Sequence, residues 1–137
     1  MLLLTLPIAA QAQFTFTTNN GAITITRYTG SGGVVTVPSE TNGLPITAIA
    51  ACAFSNCMSV TSVTIPDSIT NLGNGAFYSC TGLTNVATGN GVTGIGTNAF
   101  YYCSSLTTVT LGSSVTSIGS KAFWQCLSLA SFSFPNS

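Results

Sequence analysis

The sequence predicts an α/β repeat solenoid, a right-handed coil of short strands and short helical or 3₁₀ turns with an N-terminal β-hairpin cap. Three observations lead to this prediction. Between the repeated phrases, apolar residues alternate with Thr and Ser, as they do in half-buried strands. The segment "FTFTTNNGAITITRY" has two alternating runs around an Asn-Gly turn, which predicts a hairpin. An Ala-Phe pair recurs every 23 residues, at Ala53-Phe54, Ala76-Phe77, Ala99-Phe100 and Ala122-Phe123.

Other columns of the sequence keep the same interval. Cysteine recurs at Cys57, Cys80, Cys103 and Cys126. Apolar columns are Val60, Leu83, Leu106, Leu129; Val63, Val86, Val109, Phe132; Ile46, Ile69, Val92, Val115; and Ile49, Leu72, Ile95, Ile118. A period of about 20 to 50 residues is typical of a solenoid, in which each coil buries its apolar face by stacking on its neighbours. We therefore expect the phenylalanines to form one continuous internal row.

One repeat is predicted to form one coil. In "LTTVTL", Val109 and Leu111 alternate with threonines, which predicts a strand, and Gly119 permits a bend. The phrase "KAFWQC" predicts a short helical or 3₁₀ turn, because Ala122 and Cys126 are four residues apart and can face the same side.

The phrases "SVTSVTIPDSITNLGNGAFYSC" and "SLTTVTLGSSVTSIGSKAFWQC" resemble the BspA-like branch of bacterial leucine-rich repeats, and the resemblance covers about residues 28 to 137. It implies a leucine-rich-repeat coil whose strand side binds other molecules. It also implies adhesive protein contacts at the cell surface.

Three segments are predicted along the chain. Residues 1–12 are predicted to be a signal peptide, because an apolar run leads into the small-x-small pattern Ala10-Gln11-Ala12; the alternative is an apolar first strand. This run is too short for a permanent membrane span. Residues 13–45 are predicted to form the β cap and entry segment, and residues 46–137 an array of about four coils.

The final phrase "LASFSFPNS" begins a fifth strand and would place Phe132 and Phe134 on an open end of the stack. We expect the array to be truncated here and to continue in a longer protein. The alternative is end-to-end self-association through this open coil.

The sequence has few charged side chains that could act in catalysis or in electrostatic binding. Arg27, Lys121, Glu40 and Asp67 are the charged residues, and histidine is absent. A net charge of zero without a basic cluster argues against nucleic acid and against an anionic membrane surface. Without histidine there is no Ser-His or Cys-His pair. The two carboxylates fall in a loop and a turn. The sequence therefore predicts no enzyme, catalytic residue or cofactor.

The five cysteines suggest disulfides if the chain is exported. Four of them share one inward column, where parallel side chains keep neighbouring Cβ atoms about 4.8 Å apart, beyond the usual disulfide range of about 3.5–4.5 Å. Buried free thiols are the favoured interpretation. A straight column does not converge on a metal ion, so no metal site is predicted. Cys52 lies outside the column and is a candidate for an exposed, reactive thiol.

Two surfaces are candidates for binding. The first, which we call the hydroxyl face, is the outer side of the predicted strands, and its alternative is a merely solvated face. The second, the outer aromatic column, follows each internal phenylalanine, and its alternative is partial burial. The hydroxyl face comprises Ser62, Thr64, Asn85, Ala87, Thr108, Thr110, Ser131 and Ser133; the outer aromatic column comprises Tyr78, Tyr101 and Trp124, with Tyr102 adjacent.

The leading hypothesis is a secreted or cell-surface binding module without catalytic activity, whose ligand is a protein or glycan outside the cell. The alternatives are a rigid spacer in a longer exported protein and carbohydrate binding through the outer aromatic column. A threonine-based ice-binding face is a further alternative, which is disfavoured because Asn85 and Ala87 interrupt the threonine columns.

Overall fold

The computed structural model describes residues 13–134, so the predicted signal peptide lies outside the described residues. The described part consists of short strands joined by turns. The strands are β1 (Phe14–Asn19), β2 (Ala22–Tyr28), β3 (Gly33–Thr36), β4 (Glu40–Thr41), β5 (Leu44–Ile49), β6 (Val60–Ile65), β7 (Asn71–Leu72), β8 (Asn85–Thr88), β9 (Gly94–Ile95), β10 (Thr108–Thr110), β11 (Ser117–Ile118) and β12 (Ser131–Ser133).

The strands form two sheets that share one hydrophobic core. One sheet has the order β1-β2-β5-β7-β9-β11, with β4 paired to β5, and the other has the order β12-β10-β8-β6-β3. Only the pairs β1–β2 and β4–β5 are antiparallel among the described strands. Strands of successive coils pair in parallel, with each residue opposite its equivalent in the next repeat, such as Val63 opposite Val86 and Val86 opposite Val109.

The predicted internal row of phenylalanines is confirmed. Phe54, Phe77 and Phe100 are fully buried. Their rings stack with centroids 4.6 Å apart for the first pair and 5.0 Å for the second, and Phe123 follows at 5.1 Å. Each ring thus packs against its equivalent in the neighbouring coils, which is why the sequence column is so strict.

The prediction of an α/β coil with helical or 3₁₀ turns is wrong. The protein is a β-solenoid, and residues 13–134 contain no helix. The Ala-Phe phrase forms a turn whose alternate N–H groups donate to the next coil: Phe77 N–H to Ala99 O at 2.7 Å, and Ser79 N–H to Tyr101 O at 2.8 Å. A helix would need such groups to bond four residues back in the same segment.

Left-handed backbone conformations explain this bonding. Two columns have φ between 54° and 62°, a region that residues other than glycine, asparagine and aspartate rarely adopt. A left-handed residue at each edge of the turn interrupts any helix and directs alternate N–H groups along the stacking axis. The columns are Cys52, Gly75, Asn98, Lys121 and Asn56, Ser79, Tyr102, Gln125.

At the N-terminal end, β1 and β2 form an antiparallel hairpin where the sequence predicts one. Asn20 and Gly21 have φ of 50° and 78°, the pattern of a type I′ turn. Strand β2 then pairs in parallel with β5 and so stands in for a preceding coil. Its last residue, Tyr28, stacks on Phe54 with the ring centroids 5.0 Å apart and extends the internal row by one ring.

At the other end of the described range, the ring of Phe132 meets Phe123 edge-on, with the centroids 5.2 Å apart. Phe134 is exposed, as is Ile118 on the opposite sheet. The continuation of the array and its end-to-end association both stay predictions.

Candidate functional site

The structure brings the predicted hydroxyl face together on the sheet β12-β10-β8-β6-β3. Two lines of residues cross these strands in register. Asn85 donates from Nδ2 to Ser62 Oγ at 3.4 Å, and Ser133 Oγ donates to Thr110 Oγ1 at 3.5 Å. The first line is Ser62, Asn85, Thr108 and Ser131; the second is Thr64, Ala87, Thr110 and Ser133.

Exposure differs between the two lines. Thr64, Thr110 and Ser133 are exposed, whereas Ser62 and Asn85 are half-buried between their neighbours. The second line therefore presents exposed hydroxyls, at Thr64 and at the hydrogen-bonded pair Thr110 and Ser133, whereas Ser62 and Asn85 are less accessible to a partner. The face has no charged side chain, so a partner that binds there is not selected by charge.

Two regular columns of threonines were missed, although the 23-residue spacing marks them in the sequence. In each column the hydroxyl donates to the carbonyl of the equivalent threonine in the preceding coil, at 2.9 Å in the first and 3.1–3.2 Å in the second. These hydrogen bonds link each coil to the preceding one. The columns are Thr61, Thr84, Thr107 and Thr47, Thr70, Thr93, Thr116.

In the outer aromatic column, the rings of Tyr78 and Tyr101 lie parallel, with centroids 5.1 Å apart and an interplanar angle of 2°. Tyr78, Tyr102 and Trp124 are exposed, with 37%, 47% and 52% of their surface accessible, and Tyr101 is half-buried. Because Tyr78 and Tyr101 face each other, each ring covers one face of the other. The Tyr102 N–H donates to the Trp124 carbonyl at 2.8 Å, which places these two residues in adjacent coils.

All five cysteines are free. Three of the column thiols donate to the carbonyl of a phenylalanine in the preceding coil: Cys80 to Phe54 at 3.0 Å, Cys103 to Phe77 at 3.1 Å, and Cys126 to Phe100 at 3.2 Å. Cys80 and Cys103 are buried, as the favoured interpretation predicts, whereas Cys57 and Cys126 are only partly buried. The thiol–carbonyl hydrogen bonds could not be predicted from the sequence.

Most thiols of the column have a raised pKa, which favours their neutral form, whereas the side-chain hydrogen bond with Cys103 lowers the pKa of Cys80. Burial, and then the neighbouring Cys80, raise the pKa of Cys57 to about 11. Burial also raises the pKa of Cys126. A neutral thiol is a weak nucleophile, so these groups are suited to packing. Cys52, the candidate reactive thiol, is exposed.

Within residues 13–134, no three residues of the types His, Cys, Asp and Glu are grouped so that they could hold a metal ion. Over the same range, no helix is long and apolar enough to cross a membrane.

Comparison with known proteins identifies the repeat. The family model for the BspA type leucine rich repeat region matches residues 38–137 in six copies. Among curated proteins, none shows significant similarity to the chain.

Several solved bacterial structures are similar. A leucine-rich repeat protein of T. pallidum is 31% identical with a TM-score of 0.66, over 91% of this chain and 69% of that one. A leucine rich cell surface protein of Faecalibacterium prausnitzii is 37% identical with a TM-score of 0.72, over 85% of this chain and 34% of that one. A leucine-rich repeat protein of Bacteroides capillosus is 27% identical with a TM-score of 0.81, over 96% of this chain and 99% of that one.

Proposed function

Because the chain belongs to the BspA-type leucine-rich repeat family, we propose that it is a cell-surface binding module that contacts another protein through its repeat surface. The signal-peptide pattern in residues 1–12 supports an exported location, and the similar F. prausnitzii structure is described as a cell surface protein. This chain spans about a third of that structure's length, 34%. Adhesion is an activity of a whole protein, and for this chain we therefore propose it.

The binding surface that we propose combines the hydroxyl face with the outer aromatic column. Five strands about 4.8 Å apart and about four residues long cover roughly 300 Å². A stable interface needs about 800 Å² from each partner, so the hydroxyl face alone is too small. The turn that carries Tyr78 leads directly into β8 of that face. A partner that covers both surfaces would reach an adequate area.

The observation that carries the proposal is the exposed aromatic residues in adjacent coils, Tyr78, Tyr102 and Trp124. Tyrosine and tryptophan supply most of the binding energy at many protein interfaces, because they bury large areas with few rotatable bonds. The surrounding hydroxyls form a neutral rim.

The same geometry disfavours carbohydrate binding through this column. Sugars stack on the open faces of aromatic rings. Tyr78 and Tyr101 pack face to face at 5.1 Å, so each covers a face of the other. One face of each tyrosine is therefore closed to a sugar, and Trp124, with 52% of its surface accessible, is the most open ring of the column.

A rigid spacer is the second candidate. The observation that favours it is the unbroken internal row from Tyr28 to Phe123, which stiffens the stack along its axis. A spacer would keep its role when its surface residues are replaced, and a binding module would not.

The test uses the purified chain immobilised on a sensor and probed with proteins released from cell surfaces. We expect the double variant Tyr101→Ala/Trp124→Ala to lose at least tenfold in affinity for the captured partner. The control, Thr116→Ala, lies immediately before β11 of the opposite sheet and should keep wild-type affinity. Unchanged binding by the double variant, with a native circular dichroism spectrum, would remove the outer aromatic column from the proposal. A glycan array tests the carbohydrate alternative.

A further inference from the structure

A polar cleft of about 580 Å³ lies at the N-terminal end of the stack. Strand β2 forms one wall, through Arg27 and Tyr28. The first Ala-Phe turn forms the other wall, where Cys52, Ser55 and Cys57 lie. The volume falls within the range of about 300–1,000 Å³ that is typical of ligand sites.

The cleft exists because the hairpin is shorter than the coil that it replaces. Ile25 pairs with Ile49, and Tyr28 stacks on Phe54. Two residues separate Ile25 from Tyr28, whereas four separate Ile49 from Phe54. The first turn therefore bulges beyond β2, and the hairpin leaves its outer edge uncovered.

Two backbone carbonyls in this turn lack the donors that their equivalents have. Asn74 O and Thr97 O accept N–H groups from the preceding coil at 3.0 and 2.8 Å. The equivalent group in the first turn is Ala51 O, and no donor within residues 13–134 reaches it. The same holds for Ser55 O, whose equivalent Tyr78 O accepts from Asn56.

The hairpin satisfies only the carbonyl between these two, because Tyr28 N–H donates to Ala53 O at 2.8 Å. The thiol of Cys57 also lacks the hydrogen bond that its equivalents make. The other three thiols of its column donate to a carbonyl of the preceding coil, and among the hydrogen bonds of the described residues Cys57 makes none of this kind.

The charge of the cleft is a second property that a ligand must match. Arg27 is exposed and is the only arginine of the chain. It lies close enough to Cys57 to offset part of the rise in the pKa of that thiol, which burial and Cys80 cause. The residues that line the cleft include no carboxylate. The cleft thus combines one cation that faces no carboxylate among the lining residues with two carbonyl acceptors to which no residue of 13–134 donates.

We propose that the cleft binds a short acidic peptide segment, whose backbone N–H groups donate to the carbonyls of Ala51 and Ser55 while its carboxylate pairs with Arg27. A peptide is the occupant that fits, because elsewhere in the stack the equivalents of both carbonyls accept backbone N–H groups. A carboxylate paired with a guanidinium forms two parallel hydrogen bonds and fixes the peptide's orientation.

The test is a titration of the ¹⁵N-labelled chain, under reducing conditions, with the peptide acetyl-Gly-Asp-Gly-amide. We expect amide shifts confined to residues 26–28 and 51–57 and saturation at millimolar peptide. The matched peptide acetyl-Gly-Asn-Gly-amide should bind at least fivefold more weakly. The variant Arg27→Gln should lose the same factor, whereas Lys121→Gln, which removes the cation at the other end of the array, should bind as the wild type does.

Two further probes test the class of ligand. A version of the aspartyl peptide with N-methylated backbone amides keeps the carboxylate and should bind at least threefold more weakly. Sodium glucuronate offers a carboxylate on a sugar ring. Tighter binding of glucuronate than of the peptide, or equal binding of the N-methylated peptide, would overturn the peptide assignment. Equal binding of the asparaginyl peptide, or shifts outside the cleft, would overturn the site itself.

Discussion

Replacing Phe100 with alanine tests the stacking that holds the coils together. The Phe100 ring is fully buried, and its centroid lies 5.0 Å from that of Phe77 and 5.1 Å from that of Phe123. Removing it forfeits about 1.5–3 kcal/mol of apolar burial. Two stacked pairs, each worth about 0.5–1.5 kcal/mol, are lost as well. We expect the free energy of unfolding to fall by about 4 kcal/mol, within the range of about 3–5 kcal/mol known for buried Phe→Ala changes.

The matched control is Phe123→Ala at the next position of the same row. Phe123 is only partly buried; it has one stacked neighbour, and Phe132 contacts it edge-on. We expect this variant to lose about 2 kcal/mol, because half of the stacking and part of the burial are absent from the start. A further variant, Phe100→Leu, keeps an apolar side chain and should lose about 1.5 kcal/mol.

The measurement is urea unfolding followed by far-ultraviolet circular dichroism, with the fluorescence of Trp124 as a second probe. In a solenoid each coil contacts only its neighbours, so Phe100→Ala removes two stacked ring pairs between coils, whereas Phe123→Ala removes one stacked pair and an edge-on contact from a ring that is only partly buried. Equal losses in Phe100→Ala and Phe123→Ala would refute this reasoning, as would a loss below about 1 kcal/mol in Phe100→Ala.

Two further predictions concern the turns and the thiols. Gly75→Ala should cost about 1 kcal/mol in urea unfolding, because Gly75 has φ of 61° while a Cβ there meets only ordinary contacts. In Gly94→Ala, at ordinary φ, the new Cβ lies 3.3 Å from Asn71 Oδ1 and from Ser117 Oγ, side-chain atoms that can shift by a few tenths of an ångström. This variant should therefore stay within about 0.5 kcal/mol, and equal costs would contradict the strain argument. Stability should fall as the pH rises from 9 to 11, because Cys57 keeps its proton to about pH 11 in the folded state and loses it near 9.0 when unfolded. Thermal melts with a reductant measure this decline, which Cys57→Ala should reduce; a flat profile in the wild type would exclude it.

The core of the fold was predictable because it repeats. Every interior position occurs several times at one interval, so the apolar columns, the phenylalanine row and the strands could be read from one sequence. Parallel pairing in register, as between Val63 and Val86, follows directly from that interval.

The turns could not be predicted by the same reasoning. Apolar residues at positions such as 122, 123 and 126 have the spacing of a helical turn, and that spacing was the basis of the wrong prediction. What decides the conformation is hydrogen bonding between coils, such as Phe100 N–H to Ala122 O, which is not a local property of the segment. The left-handed positions also hold residues as different as Lys121, Tyr102 and Cys52, so no residue type marks them.

The cleft at the N-terminal end could not be predicted from the sequence either. Tyr28 occupies the place of a phenylalanine in the internal row, but it stands 26 residues before Phe54 and therefore falls outside the 23-residue alignment. Only the pairing of β2 with β5 shows that two residues are missing relative to a full coil. Sequence reasoning found Arg27 as a lone charge and had no means to place it beside the first turn.

These observations suggest where selectivity for a partner should lie. A strictly repeated residue presents the same group at every coil and cannot distinguish one place along the stack from another. Positions that break the repeat can do so: Ala87 interrupts a line of hydroxyls, and Trp124 replaces the tyrosines of its column. Arg27 occurs where the repeat has not yet begun. The repeated residues supply stiffness, and because stability depends little on the irregular ones, these can change to suit a partner while the stack stays intact.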